Sequence, residues 1–225
     1  MKSFFITSSG TDIGKTLVVS LLCHQLIGSG KKVHAIKPVI TGWQEEQESD
    51  SKNIIESLGL EYNTKNLNSV SPLRFPASLS PDMAARKEGE TIDFLEILSF
   101  CKSFENKYDY FLVEGVGGVM TPLTENETVL DLISELSMPA IVAAGSYLGS
   151  ISHTLTALHC LKTKGIEISS LIVSESKNSS VSFEETINTL KNFVNIPIIK
   201  LPLVPNEIEK WKYTKNILGA VSYEK

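Results

Sequence analysis

Residues 8–16 read Ser8-Ser9-Gly10-Thr11-Asp12-Ile13-Gly14-Lys15-Thr16. A short apolar strand candidate, Ser3–Thr7, precedes them, and residues 15–28 follow with Val18, Leu21, Leu22 and Leu26 at helical spacing. Gly28 and Gly30 stop that helix. A strand, a glycine-bearing turn and a helix start, in that order, make a cradle for phosphate. Phosphate oxygens need many donors and positive charge, and the backbone N–H groups of a helix N-terminus supply both. Gly14 lets the backbone approach closely because no Cβ intervenes. Lys15 is placed to reach the β and γ phosphates of a nucleotide, and the Thr16 hydroxyl to hold Mg2+. The stretch departs from the strict G-x-x-x-x-G-K-[ST] pattern in one place, Ser9 standing where the first glycine belongs. The competing reading is a chance GKT at a helix start. The strand before it and the helix after it argue against that.

Working outward, strands and helices alternate. Lys32–Lys37 reads as a second strand ended by Pro38, residues 51–58 as a short helix, and residues 61–82, rich in Asn, Ser and Pro, as loop. Ile92–Phe104 reads as a helix, and Asp109–Val113 as a buried strand with a carboxylate at its end. Thr128–Leu136, Ser150–Lys164 and Ser182–Val194 read as helices, with Ala140–Ala144, Ile168–Val173 and Ile198–Lys200 as strands among them. This order predicts an α/β fold of P-loop NTPase-like type: a single domain over residues 1–225, with a mostly parallel sheet and helices on both faces. Such sheets bind ligands beyond the carboxyl ends of their strands. Chemistry is therefore expected around residues 8–16, 37–43, 114–118, 145–150 and 174–178, where the polar and glycine-rich clusters fall.

Composition narrows the function classes. With 42% hydrophobic and 21% charged residues over 225 positions, the chain suits one sizeable globular domain without disulfide or metal staples. Its 21 basic and 26 acidic side chains give a net charge of −5, which argues against nucleic acid or an anionic membrane surface as partner. Cys23, Cys101 and Cys160 lie far apart with no CxxC spacing, so neither a disulfide framework nor a zinc site is expected. The first ten residues hold too short an apolar run for a signal-peptide core. Leu136–Leu161 carries no Asp, Glu, Lys or Arg and is long enough to span a bilayer. Its Pro139, Gly145, Gly149, serines and histidines favour strand, turn and buried helix instead. The expected location is cytoplasmic.

A magnesium–triphosphate site needs carboxylates, because Mg2+ prefers oxygen ligands. Glu114 ends an apolar strand and is aimed at the phosphate loop, with Gly115, Gly117 and Gly118 behind it as a wall without bulk. Asp50, after the acidic run Glu45, Glu46 and Glu48, offers a second carboxylate; most of that run reads as a solvated loop. Lys37, at the end of the second strand, would bring a second cation to a transferring phosphoryl group, although a strand-end lysine is as a rule a surface residue.

Together these pieces resemble the dethiobiotin synthetase family. The resemblance rests on S-G-T-D-I-G-K-T at 9–16, K-P-V-I-T-G at 37–42, V-E-G-V-G-G at 113–118 with Pro122-Leu123, L-G-S-I-S-H at 148–153 and L-P-L-V-P at 201–205, spread over nearly the whole chain. It implies an ATP-dependent cyclo-ligase of biotin biosynthesis that closes 7,8-diaminononanoate and CO2 (or bicarbonate) into dethiobiotin, through a carbamate and a phosphorylated carbamate. The resemblance implies catalytic roles for Lys15, Lys37 and Thr11, and Mg2+ on Thr16, Asp50 and Glu114. It implies ATP contacts at Asp12, Ile13, Gly14, Lys15, Thr16 and Leu17, at Asp50, Glu114, Gly115, Val116 and Gly117, and at Ser174, Glu175, Leu201, Pro202 and Leu203. It puts the diamine near Thr41. It further implies a homodimer in which the substrate's far carboxylate meets Ser150, Ile151 and Ser152, at a helix N-terminus of the partner subunit.

The chain departs from the family where an adenine-reading Asn is common: here Ser174 precedes Glu175, and Asn178 is the nearest amide. Ser152 also replaces an Asn. Two rival functions share the scaffold. One is another P-loop ligase, cobyrinate-diamide-synthase-like, which usually carries a glutaminase domain that 225 residues leave no room for. The other is a deviant P-loop switch ATPase, which needs a lysine where Gly10 stands. His24, His34, His153 and His159 read as structural, with His153 the least so because it follows the proposed substrate turn. Cys23 and Cys160 read as core, Trp211 as packing the C-terminal segment, and Trp43 as either a ligand neighbour or a loop anchor.

Overall fold

The computed structural model describes residues 1–44, 49–104, 106–177, 179–203, 212 and 215–222. Asn178, Trp211 and the acidic residues Glu45, Glu46 and Glu48 lie outside the described residues. A sheet of six parallel strands forms the centre: β1 (Lys2–Ser8), β2 (Val33–Ile36), β5 (Tyr110–Glu114), β6 (Ala140–Gly145), β7 (Ile168–Ser174) and β8 (Ile198–Leu201). Their order across the sheet is β2-β5-β1-β6-β7-β8. The chain leaves β1 for one edge, returns through β5, and then crosses β1 to build the other edge. The carboxyl ends of β1, β5 and β6 therefore flank the crevice where such a sheet takes its ligand.

Alternation along the strands explains the helices on both faces. Phe4, Ile6, Ala35, Leu112, Ile141 and Ile172 turn to one face, where they pack with Val18, Leu21 and Leu22 of α1 (Lys15–Gly28) and with Ile54 and Ile55 of α2 (Asp50–Ser57). Phe5, Phe111, Val113, Val142, Leu171 and Val173 turn to the other. There they meet α5 (Phe94–Lys102), α6 (Val129–Leu136), α7 (Ser150–Thr163) and α8 (Phe183–Lys191). Every residue of β6 is buried, as expected of a central parallel strand covered on both faces. Ser49, Asp93 and Ser182 cap α2, α5 and α8 by accepting a backbone N–H, and Thr128 and Asp131 close a capping box at α6.

The stretch at 61–82 is not loop. It holds α3 (Thr64–Val70), β4 (Leu73–Phe75) and the start of α4 (Pro81–Lys87). Asn63 caps α3 by accepting from Asn66 N at 2.9 Å, and Pro81 begins α4 at a position where a missing N–H costs nothing. Pro38 does not end the extended segment either; it separates β2 from β3 (Val39–Thr41), which pairs with β4 in a second, two-stranded sheet. Strands of three residues are too short to carry a periodic signal. The uncharged stretch from Leu136 is the end of α6 followed by β6 and α7, and among the described residues no helix is long and apolar enough to cross a membrane.

Candidate active site

The loop after β1 carries the strain expected of a phosphate cradle. Gly14 takes φ +92° at the N-cap of α1, and Asp12 takes φ +56°. Lys15 is buried, its Nζ donating to Ser8 Oγ and to Gly10 O, each at 3.2 Å. Burial, reinforced by the nearby Lys37 ammonium, lowers its pKa to about 8 against the pull of Glu114, Asp50 and Asp12. The glycines after β5 close the loop from the other side. A Cβ on Gly118 would fall 3.2 Å from both the Gly10 Cα and the Gly10 N. Gly117, at φ +63°, accepts from Ser8 Oγ through its carbonyl at 3.1 Å.

Lys37 sits between β2 and β3 and is 5% exposed. Its Nζ donates to Glu114 Oε1 at 2.8 Å and to Asp50 Oδ2. Burial opposes its charge, but the carboxylates of Glu114 and Asp50 outweigh it and hold Lys37 above the ordinary lysine value. Glu114, at the buried end of β5, is pushed up by burial and by Asp50, with Lys37 and Lys15 opposing. Asp50, at the start of α2, is held below the usual carboxylate range: burial works against its charge, and Lys37 prevails. Thr16 Oγ1 donates to Glu114 Oε1 at 2.8 Å.

These groups suit Mg2+. Glu114 Oε2 is buried with no hydrogen-bond partner, which leaves a carboxylate oxygen for a cation. Thr16 and Asp50 add oxygen donors beside it. Among the described residues no group of three or more His, Cys, Asp or Glu could hold a metal alone. A cation here would complete its shell with phosphate and water, as Mg2+ does at triphosphate sites.

Two cavities meet at the loop. One, of about 340 Å3, is lined by Thr11–Thr16, Lys37, Ile40, Thr41, Asp50, Glu114, Val116 and Gly117. The other, of about 870 Å3, shares Thr11, Asp12, Thr41, Val116 and Gly117 and extends past Leu79 and Met120 to α7. On the far side of Gly14, Ser174 ends β7 with its hydroxyl buried and unpartnered, 3.4 Å from where a Gly14 Cβ would stand. Glu175 joins the segment after β8: its N donates to Leu201 O at 2.9 Å, and its Oε2 accepts from Leu203 N at 3.0 Å. Leu201 is buried, whereas Pro202 and Leu203 are exposed. Leu17 faces the α1-side core, and Gly115 is pressed by Phe5, whose Cε1 lies 2.8 Å from a would-be Cβ.

The loop, Lys37, Asp50, Glu114 and Thr41 are thus brought together. Ser150, Ile151 and Ser152 are not: they form the first turn of α7, Ser150 buried and Ser152 exposed, and none lines either cavity of its own chain. Residues that do line it from α7 are His153, Thr156, Ala157 and Cys160. Cys160 is therefore half-buried at a cavity rather than in the core. The sequence signal for this was the helical spacing of those four positions. Trp43 is a loop anchor: its N donates to Phe75 O at 3.0 Å, and the Arg74 guanidinium lies 5.3 Å above its ring.

Fold and loop define a P-loop nucleotide-binding protein. The AAA domain family model matches residues 2–209. The MinC:MinD cell division protein complex of Aquifex aeolicus shares the fold at a TM-score of 0.57 and 18% identity, over 94% of this chain and 85% of that one. The hydrogenase maturation factor HypB of Archaeoglobus fulgidus shares it at 0.52 and 12% identity, over 90% and 81%. Sequence relatives are more specific. The ATP-dependent dethiobiotin synthetase BioD of Phenylobacterium zucineum is 38% identical over 208 residues, 90% of this chain and 89% of its own. The protein of the same name from Thermodesulfovibrio yellowstonii is 32% identical over 222 residues, 93% of this chain and 91% of its own. This chain belongs to the ATP-dependent dethiobiotin synthetase family, and it is an ATP-dependent ligase.

Proposed function

We propose that the chain joins CO2 to 7,8-diaminononanoate and closes the product to dethiobiotin in the cytoplasm, converting ATP to ADP and phosphate. One amine adds to CO2 and loses a proton, giving a carbamate. A carbamate oxygen takes the γ-phosphoryl group of ATP. The second amine then attacks the carbamoyl carbon, the C–O bond to phosphate breaks, and a cyclic urea remains.

The observation that carries this reading is the pair of buried ammonium groups, Lys15 and Lys37, at a small cavity that shares Thr11 and Thr41 with a larger one. Carbamate, phosphoryl group and leaving phosphate are all anions. Preorganised cations in a buried site stabilise such charge far better than water-exposed ones. In this reading the backbone of Asp12–Leu17 holds the phosphates, Thr11 lines the carbamate site and the Thr41 hydroxyl orients the diamine. Thr16, Asp50 and Glu114 would hold Mg2+, which bridges phosphate oxygens and offsets their charge. Ser174, Glu175 and Leu201–Leu203 supply the base side of the nucleotide site, next to Gly115–Gly117. The protein acts as a homodimer, the first turn of α7 (Ser150, Ile151 and Ser152) meeting the far carboxylate of the partner's substrate.

The test is an assay with 7,8-diaminononanoate, bicarbonate and Mg·ATP, following dethiobiotin by mass spectrometry and phosphate by release. Dethiobiotin that requires every component is the expected result. Phosphate release that ignores the diamine, without dethiobiotin, would replace this reading with a switch ATPase.

A further inference from the structure

The larger cavity has a wall that none of these roles uses. His153, Thr156, Ala157 and Cys160 of α7 line it, and their i, i+3, i+4, i+7 spacing is one face of a helix. The same cavity is polar at the loop and Thr41 and apolar at Leu79, Pro81, Met120 and Pro122. Leu79 and Met120 are 43% and 55% exposed, unusual for large apolar side chains with nothing to cover them.

His153 is fixed in place. Its Nδ1 lies 2.9 Å from Tyr147 Oη, which leaves Nε2 for another partner. Tyr147 leans on Gly145, where a Cβ would meet its ring at 2.8 Å. The turn is tied from behind by a reciprocal pair: Ser146 N donates to Ser176 Oγ at 3.0 Å, and Ser176 N donates to Ser146 Oγ at 2.9 Å. Ser179 Oγ donates to Ser146 O at 2.7 Å. A side chain held through two successive supports is preorganised, and preorganisation is how a site recognises a ligand without an ordering cost.

We propose that this face of α7 is the specificity wall of the ligase site. The aliphatic body of a linear diamine lies along Thr156, Ala157 and Cys160, and His153, positioned by Tyr147, hydrogen-bonds its polar group. The inference rests on the function proposed above and adds the element of the same chain that selects the amine.

Cys160 provides the test. Cys23 and Cys101 are fully buried, and burial pushes both thiols up to about 12, so Cys160 is the thiol open to N-ethylmaleimide. With no nucleotide present, 7,8-diaminononanoate at ten times its dissociation constant is expected to slow Cys160 modification about tenfold, read by peptide mass spectrometry. Mg·ADP alone leaves the rate unchanged. His153→Ala and Tyr147→Phe are expected to raise KM for the diamine about three- to tenfold, with kcat and the KM for ATP held within about twofold. His153→Gln recovers part of that loss. Unprotected Cys160 in protein that makes dethiobiotin overturns the wall while leaving the ligase reading intact. A fall in kcat with both KM values moving together reduces His153 to a structural role and overturns its part. Wild-type protein that makes no dethiobiotin overturns the ligase reading itself.

Discussion

Lys37 Nζ and Glu114 Oε1 lie 2.8 Å apart, with both side chains out of solvent. A buried charge left without its partner is costly, so neither residue is spare. Each also has a separate chemical duty in the proposed reaction. Lys37→Ala removes a cation aimed at the phosphoryl group, and kcat is expected to fall about a thousandfold. Binding of Mg·ATP, measured by calorimetry, should survive because the loop and Lys15 remain. Glu114→Gln keeps the shape and removes a metal-binding charge. The Mg2+ concentration needed for half-maximal activity should rise about tenfold or more. An unchanged metal titration would remove Glu114 from the ligand set.

Gly118 is specified by contact rather than by its own backbone. An added Cβ would stand 3.2 Å from Gly10 Cα and N, and 3.3 Å from Ser8 O, all backbone atoms that cannot rotate away. Gly118→Ala must therefore push the phosphate loop. The expected result is about tenfold or greater loss of ATP affinity with a melting temperature lowered by only a few degrees. Gly28→Ala is the control, since nothing lies within 4 Å of its would-be Cβ. ATP affinity equal to wild type in Gly118→Ala would show that the loop has slack the geometry denies.

Lys15 makes nucleotide binding a proton-linked event. Its pKa of about 8 reflects burial first and the Lys37 charge second. Arriving phosphates favour the ammonium and raise that value. At pH 8 the free protein holds about half a proton on Lys15, so binding should take up about half a proton. Calorimetry in two buffers of different ionisation enthalpy reads this directly. Uptake should shrink toward pH 6.5, where Lys15 is already charged, and should vanish in Lys15→Arg. Equal apparent enthalpies in the two buffers at pH 8 would contradict the assignment.

Much of this was legible in the chain, for reasons that differ from place to place. The strand–loop–helix at 3–28 was readable because its glycine, lysine and threonine sit at fixed offsets from an apolar run. Glu114 was readable because a carboxylate closing a buried strand has one direction to face. Residues 61–82 were not. β3 and β4 pair with each other, and three-residue strands have no period to detect. Cys160 and His153 were read as structural because their meaning depends on which face of α7 meets the cavity, and no single residue encodes that. Ser174 was flagged as a departure from the family. The structure adds that its unpartnered hydroxyl borders Gly14.

His34 supplies a test of the fold away from the site. It is 6% exposed on β2, stacked with Tyr108 at 5.0 Å and tilted against Phe104 at 4.7 Å, and its Nε2 has no partner. Burial lowers its pKa from 6.5 to about 4. The unfolded chain therefore takes up a proton between pH 6.5 and 4 that the folded chain refuses, and stability falls as pH drops through that window. The loss attributable to this one ring is about 3 kcal/mol by pH 4. Glu114, raised by burial, and Asp50 and Asp131, held low, titrate in neighbouring ranges, so the absolute pH profile mixes several groups. The difference between wild type and His34→Phe isolates the ring. Phenylalanine keeps the stacking and removes both the unpartnered nitrogen and the titration. His34→Phe should match or exceed wild-type stability in urea at pH 7.5, and its advantage should grow as pH falls to 4.5. An advantage that stays constant across that range would mean the imidazole is protonated in the folded protein, with a partner that the stacked rings do not offer.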